Sequence, residues 1–300
     1  MRLLMTGGTG FIAAALCPLL ASQGHTLTLW TRQASPKLPE GVSRATQNLS
    51  ELKPGDFDAI INLAGAGIAD QRWTAERKVE LFTSRTQTTR ALIDWIASSQ
   101  TRPSVLLSAS AVGYYGEQGD QPIYEETAPA PGFTHDLCQA WETEALKAEA
   151  LGLRVCLVRT GVVLDASGGA LAKMLPAFRF GLGGPLGNGR HWFPWIHRQD
   201  IAAIYAWLLT QNTFKGSINA CAPNPVTNRD FTAALGATLK RPAFLPMPAL
   251  VLKLMFGEMA ELLLVSSRML PARLNERGFE FTYPTLKPAL EAILRPANPQ

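Results

Sequence analysis

Hydroxyl side chains cluster where one buried strand is predicted to end. Residues 104–110 are apolar enough for an inner strand of a sheet, and Ala-Val-Gly-Tyr-Tyr-Gly follows at once. Ser110, Tyr114 and Tyr115 therefore lie near the carboxyl end of that strand, where α/β sheets bind ligands. A serine and a tyrosine at such an edge can hold a substrate oxygen and exchange a proton with it. We expect Ser110 and Tyr115 to contact a substrate.

A glycine-rich turn at the start of the chain predicts a phosphate-binding site. Gly-x-x-Gly-x-x-Ala at 7–13 follows an apolar run at 3–5 and overlaps a small-residue helix pattern over 12–23. Turn glycines let the backbone approach a pyrophosphate, and free N–H groups at a helix start attract its charge. Strand, turn and helix form the opening unit of a dinucleotide-binding fold. The candidate contacts are Gly7, Thr9, Gly10, Phe11 and Ile12.

The residues after the second predicted strand indicate which nucleotide binds. An NAD site usually has Asp or Glu at this strand end, where it bonds the ribose 2′-hydroxyl. This chain has Trp-Thr-Arg-Gln at 30–33 and no acid. Arg32 can pair with a 2′-phosphate, and Thr31 can donate a hydrogen bond to it. We therefore predict NADP(H), with a solvated surface arginine as the alternative for Arg32.

Alternating strand and helix patterns position these groups. Residues 58–65 form a buried strand that ends in small residues, which leaves room beside a cofactor. Asn62 in this strand either bridges backbone groups or contacts the cofactor. A long helix is predicted over 73–98 with Thr74 as its N-cap, and Asp200 is expected to cap a later helix.

The order of elements predicts a dinucleotide-binding domain and a smaller lobe. We place the first domain at 1–165, with 198–235 returning to it. Residues 166–197 and 236–300 would form the substrate lobe, because they mix short apolar helices with proline-rich joints. Its loop at 181–190 is only mildly basic.

Composition excludes several classes of protein. The 300 residues, 47% of them apolar, can bury a large core, and a net charge of +4 without a basic cluster does not indicate nucleic-acid binding. The four scattered cysteines predict small buried residues in a reducing compartment and no metal site. The apolar stretch 250–265 carries three charges, too many for a membrane span. We expect a cytoplasmic monomer or homodimer with a small-molecule substrate and no nucleic-acid or membrane partner.

Three motifs together resemble the extended short-chain dehydrogenase/reductases, which include sugar-nucleotide epimerases and dehydratases. They are Gly-Gly-Thr-Gly-Phe-Ile at 7–12, Asn-Leu-Ala-Gly at 62–65 and Ser-Ala-Ser-Ala-Val-Gly-Tyr-Tyr-Gly at 108–116. Further motifs resemble an atypical subgroup often labelled "nucleoside-diphosphate sugar epimerase", and they extend the likeness over essentially the whole chain. These motifs lie at 83–85, 141–142, 159–164, 181–185, 193–197, 241–246 and 278–281.

The resemblance implies an α/β fold: a Rossmann-type doubly wound parallel sheet with a small C-terminal substrate lobe and bound NADP(H). By motif position it implies that Thr31 and Arg32 lie at the 2′-phosphate. The other residues that it implies to lie beside the cofactor are Leu63, Ala64, Glu80, Arg85 and Val163.

The chain departs from the family at its proton relay. Active members pair a serine or threonine with Tyr-x-x-x-Lys on the following helix, where lysine lowers the pKa of the tyrosine. Ser110 matches the serine, but Phe-Thr-His-Asp-Leu-Cys stands at 133–138, where the pair is expected. The first lysine after that position is Lys147, too late on the helix.

Two hypotheses follow from this departure. The first is an NADP(H)-dependent oxidoreductase or epimerase in which Ser110 bonds the reacting oxygen of a nucleotide sugar or another small carbonyl or hydroxyl compound. The proton would then come from Tyr114, Tyr115, His135 or His197, the histidines because they titrate near neutral pH. The second is a non-catalytic NADP(H)-binding redox sensor or regulatory protein.

Replacing Arg32 by alanine tests the choice of nucleotide. A charge-assisted pair of this kind contributes about 1.5–3 kcal/mol, so Arg32→Ala should weaken NADPH binding roughly ten- to a hundredfold. Binding of NADH should hardly change, since it has no 2′-phosphate. Fluorescence titration with both nucleotides measures the two effects, and an equal loss for both would show that Arg32 does not contact the phosphate.

Overall fold

The computed structural model describes residues 1–295, which contain the following strands and α-helices. The strands are β1 (Arg2–Thr6), β2 (Thr26–Trp30), β3 (Val42–Thr46), β4 (Ala59–Asn62), β5 (Val105–Ala111), β6 (Pro122–Ile123), β7 (Arg154–Thr160), β8 (Val162–Leu164), β9 (Trp192–Phe193), β10 (Trp195–His197), β11 (Gly216–Ala220), β12 (Val226–Thr227) and β13 (Arg268–Met269). The helices are α1 (Ala13–Ser22), α2 (Ala75–Ala97), α3 (Phe133–Leu146), α4 (Gly169–Arg179), α5 (Arg198–Thr210), α6 (Asn228–Leu239), α7 (Ala249–Phe256), α8 (Glu261–Leu264), α9 (Ala272–Glu276) and α10 (Leu286–Leu294).

Seven strands form one parallel sheet in the order β3-β2-β1-β4-β5-β7-β11. The chain runs outward in one direction from β1 and then outward in the other direction from β4. The switch point between β1 and β4 is where doubly wound sheets open a ligand crevice. The predicted Rossmann-type α/β sheet is confirmed.

Helices cover both faces of the sheet, so its inner strands are buried and almost wholly apolar. One core cluster joins one face of the sheet to α1 and α5, and it contains Leu16, Tyr205 and Leu208. A second cluster lies between the other face and α2, with Leu92 and Ile96 at its centre. This three-layer packing of helix, sheet and helix holds the carboxyl ends of β1, β4 and β5 in fixed positions.

A third apolar cluster forms the smaller lobe. It joins α4, α6 and α10 through residues such as Phe178, Phe231 and Leu290. Short two-stranded pairs, β8 with β10 and β9 with β12, connect this cluster to the main sheet. Helix α6 packs here, against α10, while β11 pairs within the main sheet. The domain boundaries drawn from the sequence stay a prediction.

The structure confirms one predicted helix cap and corrects another. Thr74 caps α2 by accepting a hydrogen bond from the N–H of Arg77. The prediction for Asp200 was wrong, because α5 begins earlier, at Arg198, with His197 as its N-cap. Asp200 is buried in the first turn, where its carboxylate accepts hydrogen bonds from the N–H groups of Thr282 and Tyr283 at 2.8 and 3.0 Å. It therefore joins the helix to the C-terminal segment.

The cysteines are free and buried, as small core residues are. Burial raises the pKa of the Cys17 and Cys156 thiols to about 11. At neutral pH these thiols are therefore protonated and unreactive. Among residues 1–295, no helix combines the length and the apolar character that crossing a membrane requires.

Two buried tyrosines give a matched test of the core. The Tyr205 hydroxyl has no hydrogen-bond partner among residues 1–295, whereas the Tyr115 hydroxyl donates to Asn219 and accepts from Arg159. An unmade buried hydrogen bond is unfavourable, so Tyr205→Phe should raise the free energy of unfolding by about 1 kcal/mol. Tyr115→Phe should lower it by about 1–3 kcal/mol, because two buried partners lose their contact. Urea unfolding measures both, and a destabilised Tyr205→Phe variant would contradict the expectation.

Candidate functional site

The glycine turn fits tightly against the end of β4. Gly7 has a φ of +65°, and a Cβ there would lie 2.5 Å from the carbonyl oxygen of Leu63. The N–H of Gly10 donates to the carbonyl of Gly7 at 2.9 Å, which closes the turn. Only glycine combines this backbone conformation with so close an approach.

The turn leads directly into α1, and its outer side is open. Thr9 and Gly10 are exposed, and Phe11 is half-buried. Ile12 occupies the N-cap position of α1, where no side chain caps the helix and no acid stands in the first turn. In this first turn the N–H groups of Ala14 and Ala15 donate to the carbonyls of Gly10 and Ile12. The N–H groups before them, at the very start of α1, can therefore accept an anion.

Phe11 connects the turn to the lobe. Its ring lies against Gly168 and Gly169, where added Cβ atoms would be 2.7 and 3.0 Å from ring carbons. The guanidinium of Arg198 lies 5.3 Å from the centre of the same ring and bonds Asp165 and Ser167. The loop before α4 therefore packs directly against the glycine turn.

The end of β2 presents Thr31 and Arg32 at the surface. Arg32 is exposed, and its carbonyl accepts a hydrogen bond from the side chain of Gln47. Thr31 Oγ1 accepts a hydrogen bond from the N–H of Gln33 at 3.3 Å. Both side chains stand one strand away from the glycine turn, where an adenine ribose would end.

Arg85 holds the segment that leaves β4. Its guanidinium donates to the carbonyls of Leu81 and Ala66, both at 3.0 Å, and lies against Gly65. Burial lowers the pKa of Arg85 below its ordinary value. Leu63 and Ala64 thus run past the turn in a fixed path, with the N–H of Ala64 bonded to Thr6.

Three other residues that the sequence analysis placed near the cofactor lie on α2, β8 and β4. Glu80 is exposed and pairs with Arg77 at 2.5 Å, on α2. Val163 lies in β8, half-buried and paired in register with Ile196. Asn62 is fully buried and bonds Thr6, Thr89 and Ser108, so it joins three elements below the crevice.

Ser110 is the end of a buried ionic network. Its hydroxyl donates a hydrogen bond to Glu142 Oε1 at 2.6 Å. The guanidinium of Arg159 donates two hydrogen bonds, of 2.9 and 2.8 Å, to the same carboxylate. All three residues are buried. Burial alone would lower the pKa of Arg159, but the hydrogen bonds and charge of Glu142 outweigh it and raise that pKa. Ser110 therefore donates its proton to a carboxylate that Arg159 holds in place.

Cys138 and Glu142 stand four residues apart on one face of α3, the spacing of the missing Tyr-x-x-x-Lys pair. The Cys138 thiol lies 3.8 Å from the carbonyl of Ala111, next to Ser110. Burial raises the pKa of Cys138 to about 12, so the thiol is a poor proton source at neutral pH. The face of α3 on which the family carries tyrosine and lysine therefore carries a buried thiol and a carboxylate in this chain.

Tyr115 is fully buried, with its hydroxyl donating to Asn219 at 2.6 Å and accepting from Arg159 at 3.0 Å. Burial raises its pKa well above the ordinary value, which argues against the proton-donor role expected from the sequence. Tyr114 is half-buried, with its ring stacked 3.4 Å from the Arg159 guanidinium. His135 bonds the Tyr114 carbonyl through Nδ1 at 2.7 Å, so that ring nitrogen carries its proton.

His197 has a structural task. Its Nδ1 accepts the N–H of Gln199 at 3.0 Å as the cap of α5, and its ring stacks on Tyr283 at 3.9 Å. Burial lowers the pKa of His197 to about 4, although Asp165 opposes the shift. The imidazole is therefore neutral at pH 7, with Nδ1 already engaged.

Glu142 and Arg159 were missed as site residues, although both stand in motifs quoted for the family resemblance. One usable signal was Glu142 itself, an acid on the helix after Ser110. The other was Arg159, a charge inside an apolar strand pattern at 154–164. A buried charge requires a partner, so the two point to each other.

A glycine turn at the switch point of a parallel sheet, with a serine ending the adjoining strand, defines a Rossmann-fold protein of the dehydrogenase/reductase class. A model of the "NAD dependent epimerase/dehydratase family" matches residues 3–221. The chain belongs to that family, as an atypical extended short-chain dehydrogenase/reductase. Residues 247–293 match a "Domain of unknown function (DUF1731)".

Similar proteins occur in distant organisms. The chain is 39% identical to "Epimerase family protein SDR39U1" of Mus musculus, over 98% of this chain and 100% of that one. It is 40% identical to the chloroplastic homolog of Arabidopsis thaliana, over 98% and 87%. The crystal structure of human SDR39U1 (isoform2) with NADPH superposes with a TM-score of 0.86 at 35% identity, covering 98% and 99%. UDP-glucose 4-epimerase of Thermus thermophilus, at 18% identity and a TM-score of 0.77, shares the fold.

The low pKa of His197 predicts a pH dependence of stability. The folded pKa of about 4 lies below the unfolded value of 6.5, so the unfolded chain binds this proton first. The neutral His197 therefore contributes stability that is fully present above pH 6.5 and is lost as the pH falls toward 4. The free energy of unfolding should decrease by about 2 kcal/mol between pH 7 and pH 5 for this reason. Asparagine caps helices without titrating, so His197→Asn should lose about 2 kcal/mol less over the same range. Urea unfolding at both pH values measures this, and parallel curves for the two proteins would refute it.

Proposed function

We propose that the protein is an NADP(H)-dependent oxidoreductase that acts on a hydroxyl-bearing small molecule, with Ser110 and Glu142 in place of the usual tyrosine and lysine. The observation that carries this proposal is the short bond from the Ser110 hydroxyl to a carboxylate fixed by Arg159. The site stands at the carboxyl end of β5, next to the strand that borders the glycine turn.

The turn fits a dinucleotide, because its glycines keep the backbone accessible. A Cβ at Gly7 would lie 2.5 Å from the carbonyl oxygen of Leu63, and one at Gly10 would lie 3.0 Å from that of Gly7. Thr31 and Arg32 would hold a 2′-phosphate, and no acid stands at that strand end to favour a free hydroxyl. Human SDR39U1, 35% identical, was crystallised with NADPH, which supports the choice of NADP(H). When bound, NADP⁺ supplies the hydride acceptor.

Leu63 and Ala64, held by Thr6 and Arg85, would form the floor beside the cofactor. The N–H groups of Phe11 and Ile12 at the start of α1 would face the pyrophosphate. Val163 would approach the nicotinamide half from β8. Glu80 would lie at the outer edge, where it already pairs with Arg77.

The direction of one hydrogen bond selects the substrate. Because Ser110 donates its proton to Glu142, its remaining lone pairs can only accept a hydrogen bond. A substrate hydroxyl can donate to them, whereas a carbonyl cannot. As the alcohol is oxidised, its proton moves to Ser110 Oγ while the serine proton moves to Glu142. Arg159 keeps the carboxylate oriented for this transfer.

Hydride transfer from secondary alcohols tests the proposal. Stopped-flow absorbance should detect NADPH formation when the protein, loaded with NADP⁺, meets a panel of sugar nucleotides and smaller secondary alcohols. On any substrate that reacts, Ser110→Ala should slow transfer about a hundredfold or more, the usual contribution of a positioned proton acceptor. Affinity for NADPH should stay unchanged.

Ser108→Ala is the matched control. Ser108 lies two residues earlier on the same strand and is equally buried, yet its hydroxyl bonds Asn62 and not Glu142. Equal rates for Ser110→Ala and the parent would remove Ser110 from the chemistry. Tight NADPH binding without transfer from any ligand would favour the alternative, a redox sensor whose relay positions hold Cys138 and Glu142.

A further inference from the structure

Eight large apolar side chains project into solvent at one edge of the lobe, and we call them the apolar ridge. The most exposed are Phe180 (81%), Phe244 (72%), Leu254 (71%) and Leu250 (70%). The full set is Phe180, Leu182, Phe244, Leu245, Leu250, Val251, Leu254 and Met255. Scattered exposed leucines are common, but a contiguous group marks a binding surface.

The apolar ridge comes from two segments of the chain, one around residues 180–185 and one around 244–255. Backbone hydrogen bonds join the first segment to the start of the second. The N–H of Leu245 donates to the carbonyl of Gly183, and that of Met247 donates to Pro185 at 2.9 Å. A Cβ on Gly184 would overlap the carbonyl of Leu245, so the segments are in direct contact. Helix α7 begins two residues after Met247, and Leu252 is its buried residue while Leu250, Val251, Leu254 and Met255 are exposed.

All charges within the two ridge segments have one sign. Residues 171–190 and 240–257 contain no Asp or Glu. They carry exposed cations at Arg179, Lys240, Arg241 and Lys253. Lys253 lies between Leu250 and Leu254 on the outer side of α7. Lys173 in the first segment pairs with Asp70, and the first acid after the second segment, Glu258, pairs with Lys78. An apolar surface whose own segments carry only cations complements an anionic lipid surface.

Several backbone groups of the apolar ridge need no hydrogen bond from water. Pro242, Pro246 and Pro248 have no N–H group that would need a partner. At the end of α7, where carbonyls are normally open, the guanidinium of Arg72 donates to those of Leu254 and Met255. Unsatisfied backbone groups are costly in lipid, and these features remove several of them.

We propose that the apolar ridge docks onto the surface of an anionic lipid bilayer, with Phe180, Phe244, Leu250 and Leu254 inserted among the headgroups and acyl chains. The high exposure of these side chains favours insertion over a fit into a protein groove, where apolar side chains lie in pockets. This departs from the expectation, drawn from the sequence, of no membrane partner. It does not depend on the proposed chemistry.

Co-sedimentation with vesicles tests the proposal on the full-length protein. The parent should pellet with phosphatidylcholine vesicles that contain phosphatidylserine, and much less with phosphatidylcholine alone or at high salt. Leu250→Asp with Leu254→Asp should lower the partition coefficient at least about tenfold. Arg241→Ala and Lys253→Ala should each lower it about fivefold on the anionic vesicles only.

Leu38→Asp, a matched change at an exposed leucine outside the ridge, should bind vesicles like the parent. Circular dichroism confirms that each variant is folded, which is expected because every changed side chain is exposed. No pelleting of the parent, or equal pelleting of the double aspartate variant, would overturn the proposal. A dimer of the parent that the double variant cannot form would assign the ridge to a second copy of the chain and overturn it as well.

Discussion

The ion pair between Glu142 and Arg159 is the interaction on which the site depends. Its charges are buried between β5, α3 and β7, and removing one partner of such a pair costs about 3–5 kcal/mol because the other charge is left alone. Hydrogen bonds also connect this ion pair to a third strand. Arg159 bonds Tyr115, and Tyr115 bonds Asn219 on β11. The carboxyl ends of three strands are therefore held in one arrangement by a single buried network.

That network continues into the C-terminal segment. Glu125 accepts hydrogen bonds from the backbone N–H groups of Asn219 and Arg273, and burial raises its pKa. Arg273 in turn donates to the carbonyls of Lys215 and Ser217 beside β11. Together with Asp200, which bonds Thr282 and Tyr283, these contacts give the late residues a defined place against the sheet. The site and the lobe are thus parts of one polar framework.

Local pattern was sufficient to predict the fold and the glycine turn. Apolar runs, the glycine spacing at 7–13 and the capping residue Thr74 each act within a few residues of sequence, so they could be recognised without a structure. The network of Ser110, Glu142 and Arg159 could not be recognised in this way, because its members come from three elements. Their contact depends on how α3 crosses β5 and β7. Similarly, His197 occupies the capping position expected for Asp200, because α5 begins about one turn earlier than its apolar pattern indicates.

The contact between Phe11 and the loop before α4 has a mechanical consequence. Phe11 belongs to the glycine turn, yet its ring fills the space that side chains at Gly168 and Gly169 would occupy. Arg198 lies over the same ring and ties the loop to α5. Because these groups are in direct contact, one aromatic ring sets the position of the glycine turn and the start of α4 together.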